Sequence, residues 1–233
     1  MTFTSLASSS RGNAYVVSDG ETTLLLECGL SFKELQKRLG YGVADITACL
    51  VSHEHQDHAK AAAQMLKAGV PVYMSEGTAA AHKDAMDAAH LIKVGEVLRF
   101  GHLTVVPFRT YHNVEEPLGF LIADGCTKER LLWAVDTANL GVTADRLTYI
   151  AVECNYEESL LDRSDRIPSV LKERIRHSHF EVNDVIKWLH KQDLSGVLTI
   201  WLLHLSAGNS RAEAWQVRFE REFPGITIRI CPE

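Results

Sequence analysis

The chain has 233 residues, 46% hydrophobic and 23% charged, an ordinary globular composition that excludes a disordered or low-complexity protein and fits one domain over residues 1–233. The formal net charge of −6 disfavours non-specific binding of long nucleic acid, which needs a positive footprint, unless bound metal supplies that charge locally. No apolar run approaches the roughly 20 residues that span a bilayer, and the opening residues lack a basic and apolar leader. The five cysteines, Cys28, Cys49, Cys126, Cys154 and Cys231, form no CxxC pair. We therefore expect a cytoplasmic protein without membrane contact, its thiols free and mostly buried on strands. Phe3–Leu6, Ala14–Val17 and Thr22–Leu26 read as strands, the last two joined by the turn signal Ser18-Asp19-Gly20. Ser31 reads as an N-cap for a helix carrying Phe32, Leu35 and Leu39 and stopped by Gly40. Ala48–Val51 is a short buried strand, followed by the polar turn 52–58 and an alanine-rich helix up to Gly69. Val72–Met74 reads as a strand, 76–88 as a helix, and 91–134 as strand-rich. Further on come a strand at Tyr149–Glu153, helices near 167–176 and 181–191, a strand at Val197–Leu202, a helix near 210–221 and a last strand at Ile226–Ile230.

Both halves thus hold meander strands followed by strand–helix units. This predicts an α/β protein built as an αββα sandwich, two mixed β-sheets flanked by helices. Residues with chemistry fall where strands end, as expected of layered α/β folds.

The strongest signal is the turn carrying His53, His55, Asp57 and His58. His53 and His55 are two apart, so in extended chain they point the same way, while Asp57 and His58 open the next helix. Imidazole and carboxylate suit zinc or manganese. Four ligands cannot saturate two ions, and three more follow strong apolar strands: His112, Asp136 and His204. The expected arrangement is two divalent cations, one on His53, His55 and His112, the other on Asp57, His58 and His204, with Asp136 bridging. Such a pair lowers the pKa of a water between the ions and polarises a carbonyl or phosphoryl oxygen of a substrate. Asp57 can also orient that water. Ser10, Arg11 and Asn13 in the opening loop offer hydroxyl, guanidinium and amide donors to a phosphate, though a Gly-Asn turn explains them equally well. Asn155 reaches the site from a strand end or caps a turn, and Glu153 is expected to brace a metal histidine.

The motif His53-Glu-His55-Gln-Asp57-His58 resembles the signature of metallo-β-lactamase-fold hydrolases, and the order of His112, Asp136 and His204 matches that family too. Over nearly the whole chain the sequence is similar to the YycJ-type branch, described as 5′ exonucleases. The similarity rests on Ser5-Leu-Ala-Ser-Ser-Ser-Arg-Gly-Asn13, Glu116-Pro-Leu-Gly-Phe120, Glu153-Cys-Asn155, Ser178-His-Phe-Glu181 and His204-Leu-Ser206. It departs from that branch at Glu27, where an Asp is usual, at Arg11, where a small residue is usual, at Ala138, where a Gly is usual, and at Ser178, Phe180 and Glu181. The resemblance implies a dinuclear phosphodiesterase, most simply a nuclease. His179 is then the general acid by its place in the fourth block, with His177 its rival. A cyclic- or short-nucleotide phosphodiesterase is the alternative, which the acidic charge favours. Thioester hydrolysis of the glyoxalase II type ranks lower, because Ala59-Lys60-Ala61 follows the motif where that family has glycines. A binding module that kept the fold and lost catalysis is the alternative outside enzymes, and a homodimer is kept as a candidate assembly.

Overall fold

A computed structural model describes residues 1–82 and 87–231. Its strands make two mixed sheets with helices beside them, as expected: a six-stranded sheet in the order β1-β2-β3-β4-β5-β6 and a seven-stranded sheet in the order β13-β12-β11-β10-β9-β8-β7. The chain divides into two compact units.

The first unit takes in residues 1–109 and 114–129. β1 (Thr2–Ser9), β2 (Gly12–Ser18) and β3 (Thr23–Leu26) form an antiparallel meander. Its second turn is closed by Asp19, whose carboxylate accepts from the amides of Glu21 and Thr22 at 2.9 and 2.6 Å, the usual role of Asp in a turn. β4 (Ala48–Leu50), β5 (Val72–Met74) and β6 (His90–Leu91) add on parallel to β3. Leu24, Leu25 and Leu26 are all fully buried, so β3 is covered on both faces, as continuous apolar runs beside parallel strands should be. Between strands lie α1 (Phe32–Arg38), capped by Ser31 on the amide of Glu34, then α2 (Gln56–Ala59), α3 (Ala62–Lys67) and α4 (Glu76–Ala81). β7 (Leu98–Phe100), β8 (Leu103–Arg109) and β9 (Leu118–Asp124) are antiparallel.

The second unit takes in residues 110–113 and 130–231. β10 (Arg130–Ala134), β11 (Tyr149–Glu153), β12 (Thr199–Leu203) and β13 (Thr227–Ile230) run parallel. α5 (Glu158–Arg163), α6 (Ser169–Ser178), α7 (Val182–Leu189) and α8 (Ala212–Glu222) accompany them. α7 buries Val182, Val185, Ile186, Trp188 and Leu189. Its first turn is capped by the Glu181 carboxylate, which accepts from the amides of Asn183 and Asp184.

Four expectations change. The alanine-rich helix is two short ones, because the Ala61 amide donates to Cys28 O at 2.9 Å and leaves the helical ladder. Of the helix expected over 76–88, Glu76–Ala81 is helical while His82, Asp87 and Ala88 are not, and 83–86 lie outside the described residues. α5 was not foreseen. The cysteines are free, and four are buried while Cys126 is exposed. Only Cys49 lies within a strand, whereas Cys28, Cys154 and Cys231 sit just past strand ends.

Candidate metal centre

In the first unit the motif turn leaves β4 through Ser52 and enters α2 at Gln56, with His55 extended at the N-cap position (φ −60°, ψ 145°). His53 and His58 are fully buried, and His55 and Asp57 are half-buried. Nε2 of His53 and Nδ1 of His55 face each other at 3.1 Å. The far nitrogen of His53, Nδ1, lies 2.8 Å from Ser52 Oγ, and an Nδ1–H donated to that hydroxyl makes Nε2 the acceptor nitrogen of the ring. His58 turns Nε2 to within 3.4 Å of Asp57 Oδ2 and Nδ1 to within 3.6 Å of Glu27 Oε2. Burial raises the Glu27 pKa, with His58 and Ser52 pulling the other way. The other Glu27 oxygen accepts from the Ser52 amide at 3.1 Å. His53 and His58 thus each have a polar partner at Nδ1, Ser52 Oγ and Glu27 Oε2, the kind of contact that orients metal-binding histidines.

The backbone beneath is held tightly. Cys28 N donates to His58 O at 2.8 Å, and a Cβ at Gly29 would stand 1.6 Å from Asp57 O, so only glycine fits there. Asn13 is fully buried. Its amide nitrogen donates to Ser9 O at 3.1 Å and Asp57 O at 3.2 Å, and lies 3.2 Å from His58 Nε2. Ser10 and Arg11 occupy the exposed tip of the β1–β2 turn.

In the second unit the parallel register sets Ala134 beside Val152 and Glu153 beside Leu203, so β10, β11 and β12 end level. Asp136, Glu153 and His204 therefore meet at the carboxyl ends of adjacent strands, where ligands bind in open α/β sheets. Asp136 (φ 48°) and His204 (φ 51°) are both left-handed, a conformation costing roughly 1–2 kcal/mol in a non-glycine residue. Such strain collects at functional sites. His204 Nδ1 lies 2.8 Å from Asp136 Oδ1 and 3.1 Å from Glu153 Oε1. Burial disfavours its charged form, yet the two carboxylates win and raise its pKa to about 10. Asn155 donates to His204 O at 2.8 Å. His112 donates Nδ1–H to Ser178 O at 2.7 Å and turns Nε2 to within 3.6 Å of Asp136 Oδ2. Burial lowers its pKa against the pull of Asp136, favouring the neutral ring that a cation needs.

His179 follows α6 directly. Its Nδ1 lies 2.7 Å from Glu153 Oε1, and Glu153 Oε2 accepts from the amides of Thr137 and Phe180 at 2.8 and 3.2 Å. Burial pushes the His179 pKa down, but Glu153 and Asp136 outweigh it and the net shift is upward. Ligand atoms of Asp136, Glu153, His179 and His204 all lie within 4.8 Å of one another. His177 instead turns Nδ1 to Glu173 O on its own helix at 2.8 Å and takes no part in the cluster.

Glu153, expected to brace a metal histidine, contacts two histidines, His179 and His204. The partners of His53, His58 and His112 were not foreseen. Ser52 directly before His53 was the legible hint, and so was the acid at position 27 closing a buried strand.

These buried His/Asp clusters have the composition and the oriented rings of a dinuclear metal site, and with the fold they define a metal-dependent hydrolase. Residues 22–200 match the beta-lactamase superfamily domain, and the chain belongs to the metallo-β-lactamase superfamily. It is 30% identical to exodeoxyribonuclease YycJ of Bacillus anthracis, covering 91% of this chain and 84% of that one. It is 27% identical to exodeoxyribonuclease WalJ of Streptococcus pneumoniae, covering 89% and 82%. Among solved structures it is similar in fold to the metallo-β-lactamase fold protein YhfI of Bacillus subtilis, with a TM-score of 0.74, 17% identity, and 99% and 96% of the two chains covered. No helix among the described residues is long and apolar enough to cross a membrane.

Proposed function

We propose that the chain, acting as one catalytic domain, hydrolyses phosphodiester bonds at the end of a nucleic acid strand. The observation that carries this reading is the Glu153–His179 contact. A thiolate leaves without a proton, whereas the alkoxide released from a phosphodiester needs one. Here a histidine held toward its protonated form stands in the carboxylate–imidazole cluster. The similarity to two exodeoxyribonucleases over most of the chain supports the same substrate class.

The donor set fits two divalent cations, zinc or manganese. His53, His55 and His112 would hold one, Asp57, His58 and His204 would hold the other, and Asp136 would be available to both. When bound, the cations supply positive charge for phosphoryl oxygens and make water acidic enough to act at neutral pH. Asp57 accepts a hydrogen bond from the attacking water and aims it. His179 gives a proton from Nε2 to the departing oxygen while Glu153 keeps Nδ1 fixed. Glu27, Ser52 and the Ser178 carbonyl keep the ring nitrogens of His58, His53 and His112 turned the right way. Ser10 and Arg11, at the open turn tip, contact the substrate phosphate. Asn13 and Asn155, expected to bind substrate, instead spend their amide donors on the backbone: Asn13 on Ser9 O and Asp57 O, Asn155 on His204 O.

The test is a substrate panel with manganese and with zinc: bis-p-nitrophenyl phosphate, end-labelled single and double strands, 2′,3′- and 3′,5′-cyclic nucleotides, and a thioester. Shortening of strands with cyclic nucleotides left intact supports the reading. Hydrolysis of cyclic nucleotides alone, or of the thioester alone, overturns it.

A further inference from the structure

Residues 163–177 run against the charge of the rest of the chain. Within a net charge of −6, this stretch carries Arg163, Arg166, Lys172, Arg174 and Arg176 against only Asp165 and Glu173. Two of the cations are engaged: Arg176 pairs with Glu158, Asp162 and Glu173, and Lys172 donates to Asp162 O. Arg163, Arg166 and Arg174 are exposed, and among the described residues their side chains form no ion pair or hydrogen bond. Val170, Leu171, Arg174 and His177 share one solvent-facing stripe of α6, at positions i, i+1, i+4 and i+7. Val170 is 81% exposed and Leu171 43%. That stripe ends two residues before His179.

We infer that this face of α6, with Arg163 and Arg166 leading into it, is the track for the part of a nucleic acid strand beyond the bond being cut. The inference rests on the phosphodiesterase reading above and deepens it, since a cyclic nucleotide has no chain to lie there. Unpaired arginines in an acidic protein complement a phosphate backbone, and the track joins the cluster directly at His179. The ten residues of α6 rise about 15 Å, the span of about four phosphates of a B-form strand. The exposed Val170 and Leu171 offer apolar surface for bases splayed away from the backbone.

The test compares the full-length protein with a triple variant, Arg163→Gln, Arg166→Gln and Arg174→Gln, and with the same positions changed to Lys. The readouts are KM for oligonucleotides of two to twelve residues, its dependence on salt, the melting transition and the mass in solution. For the native protein KM should fall as the strand lengthens and rise with salt. The Gln variant should lose the length dependence, show KM at least tenfold higher for the longest strand at low salt, and flatten the log KM against log salt slope by about 2, near 0.7 per lost contact. The Lys variant should keep the slope. An unchanged slope and length dependence in a folded Gln variant overturns the proposal. So does a dimer that falls to monomer with KM unchanged, which would make the face a contact between copies. If the native protein hydrolyses bis-p-nitrophenyl phosphate but no strand, the phosphodiester-end reading fails first. Anisotropy with an uncleaved labelled oligonucleotide then judges the track separately: weaker binding by the Gln variant supports it and equal binding removes it.

Discussion

Glu153 Oε1 lies 2.7 Å from Nδ1 of His179 and 3.1 Å from Nδ1 of His204, so one fully buried carboxylate braces both rings. Its second oxygen is occupied by two backbone amides. The carboxylate cannot swing away without leaving those amides unpaired, which costs roughly 1–3 kcal/mol each.

Removing the ring at this junction should separate chemistry from metal binding. His179→Ala is expected to keep its metal content and lower turnover by about 10² or more, the range for a positioned proton donor. Plasma emission analysis and steady-state rates check both halves. Unchanged turnover excludes His179 as the acid, and lost metal makes it a ligand.

In the first unit Glu27 acts through His58 Nδ1 and the Ser52 amide. Glu27→Ala should weaken metal affinity by about 10–100-fold, as loss of an orienting carboxylate does. Glu27→Asp should fall between, because its side chain is one methylene shorter. Competition against a chelating dye measures this directly. Equal affinity in all three proteins would leave Glu27 with a folding role only.

The contact between Gly29 and Asp57 is more severe. With an added Cβ only 1.6 Å from Asp57 O, Gly29→Ala must displace α2. We expect loss of most bound metal together with a lowered melting temperature. A crystal structure or a metal titration of the variant would reveal an undisturbed site if the expectation is wrong.

Stripping metal with a chelator should abolish hydrolysis and lower the melting transition. Readdition of manganese or zinc should restore both, since a ligand present at 100 times its dissociation constant stabilises the folded state by about 2.7 kcal/mol. Activity that survives exhaustive chelation would contradict the proposed chemistry.

The sequence made the strand ends legible because apolar runs stop abruptly before Asp136, Glu153 and His204, and parallel pairing then sets those stops side by side. It hid the break between α2 and α3. Local alanine content favours one continuous helix, but Cys28 O takes the Ala61 amide and the Asn13 side chain takes the Asp57 carbonyl. Both partners come from far along the chain, so no local pattern carries them. α5 was hidden for a related reason. Its six residues are too short to show a period, and it buries only Leu161 while Arg176 on α6 ties down Glu158 and Asp162.

The level endings of β10, β11 and β12 bear on which lengths of chain the protein can tolerate. Sliding one of these strands by a single residue would turn its side chains to the opposite face of the sheet and carry Glu153 or His204 out of reach of Asp136. Added or deleted residues inside these strands should therefore abolish function even where stability survives. The connections entering them, near Lys128, Leu147 and Ser195, lie at the other end of the strands, and extra length there leaves the chemistry in place. Grafted loops or affinity tags belong at that end.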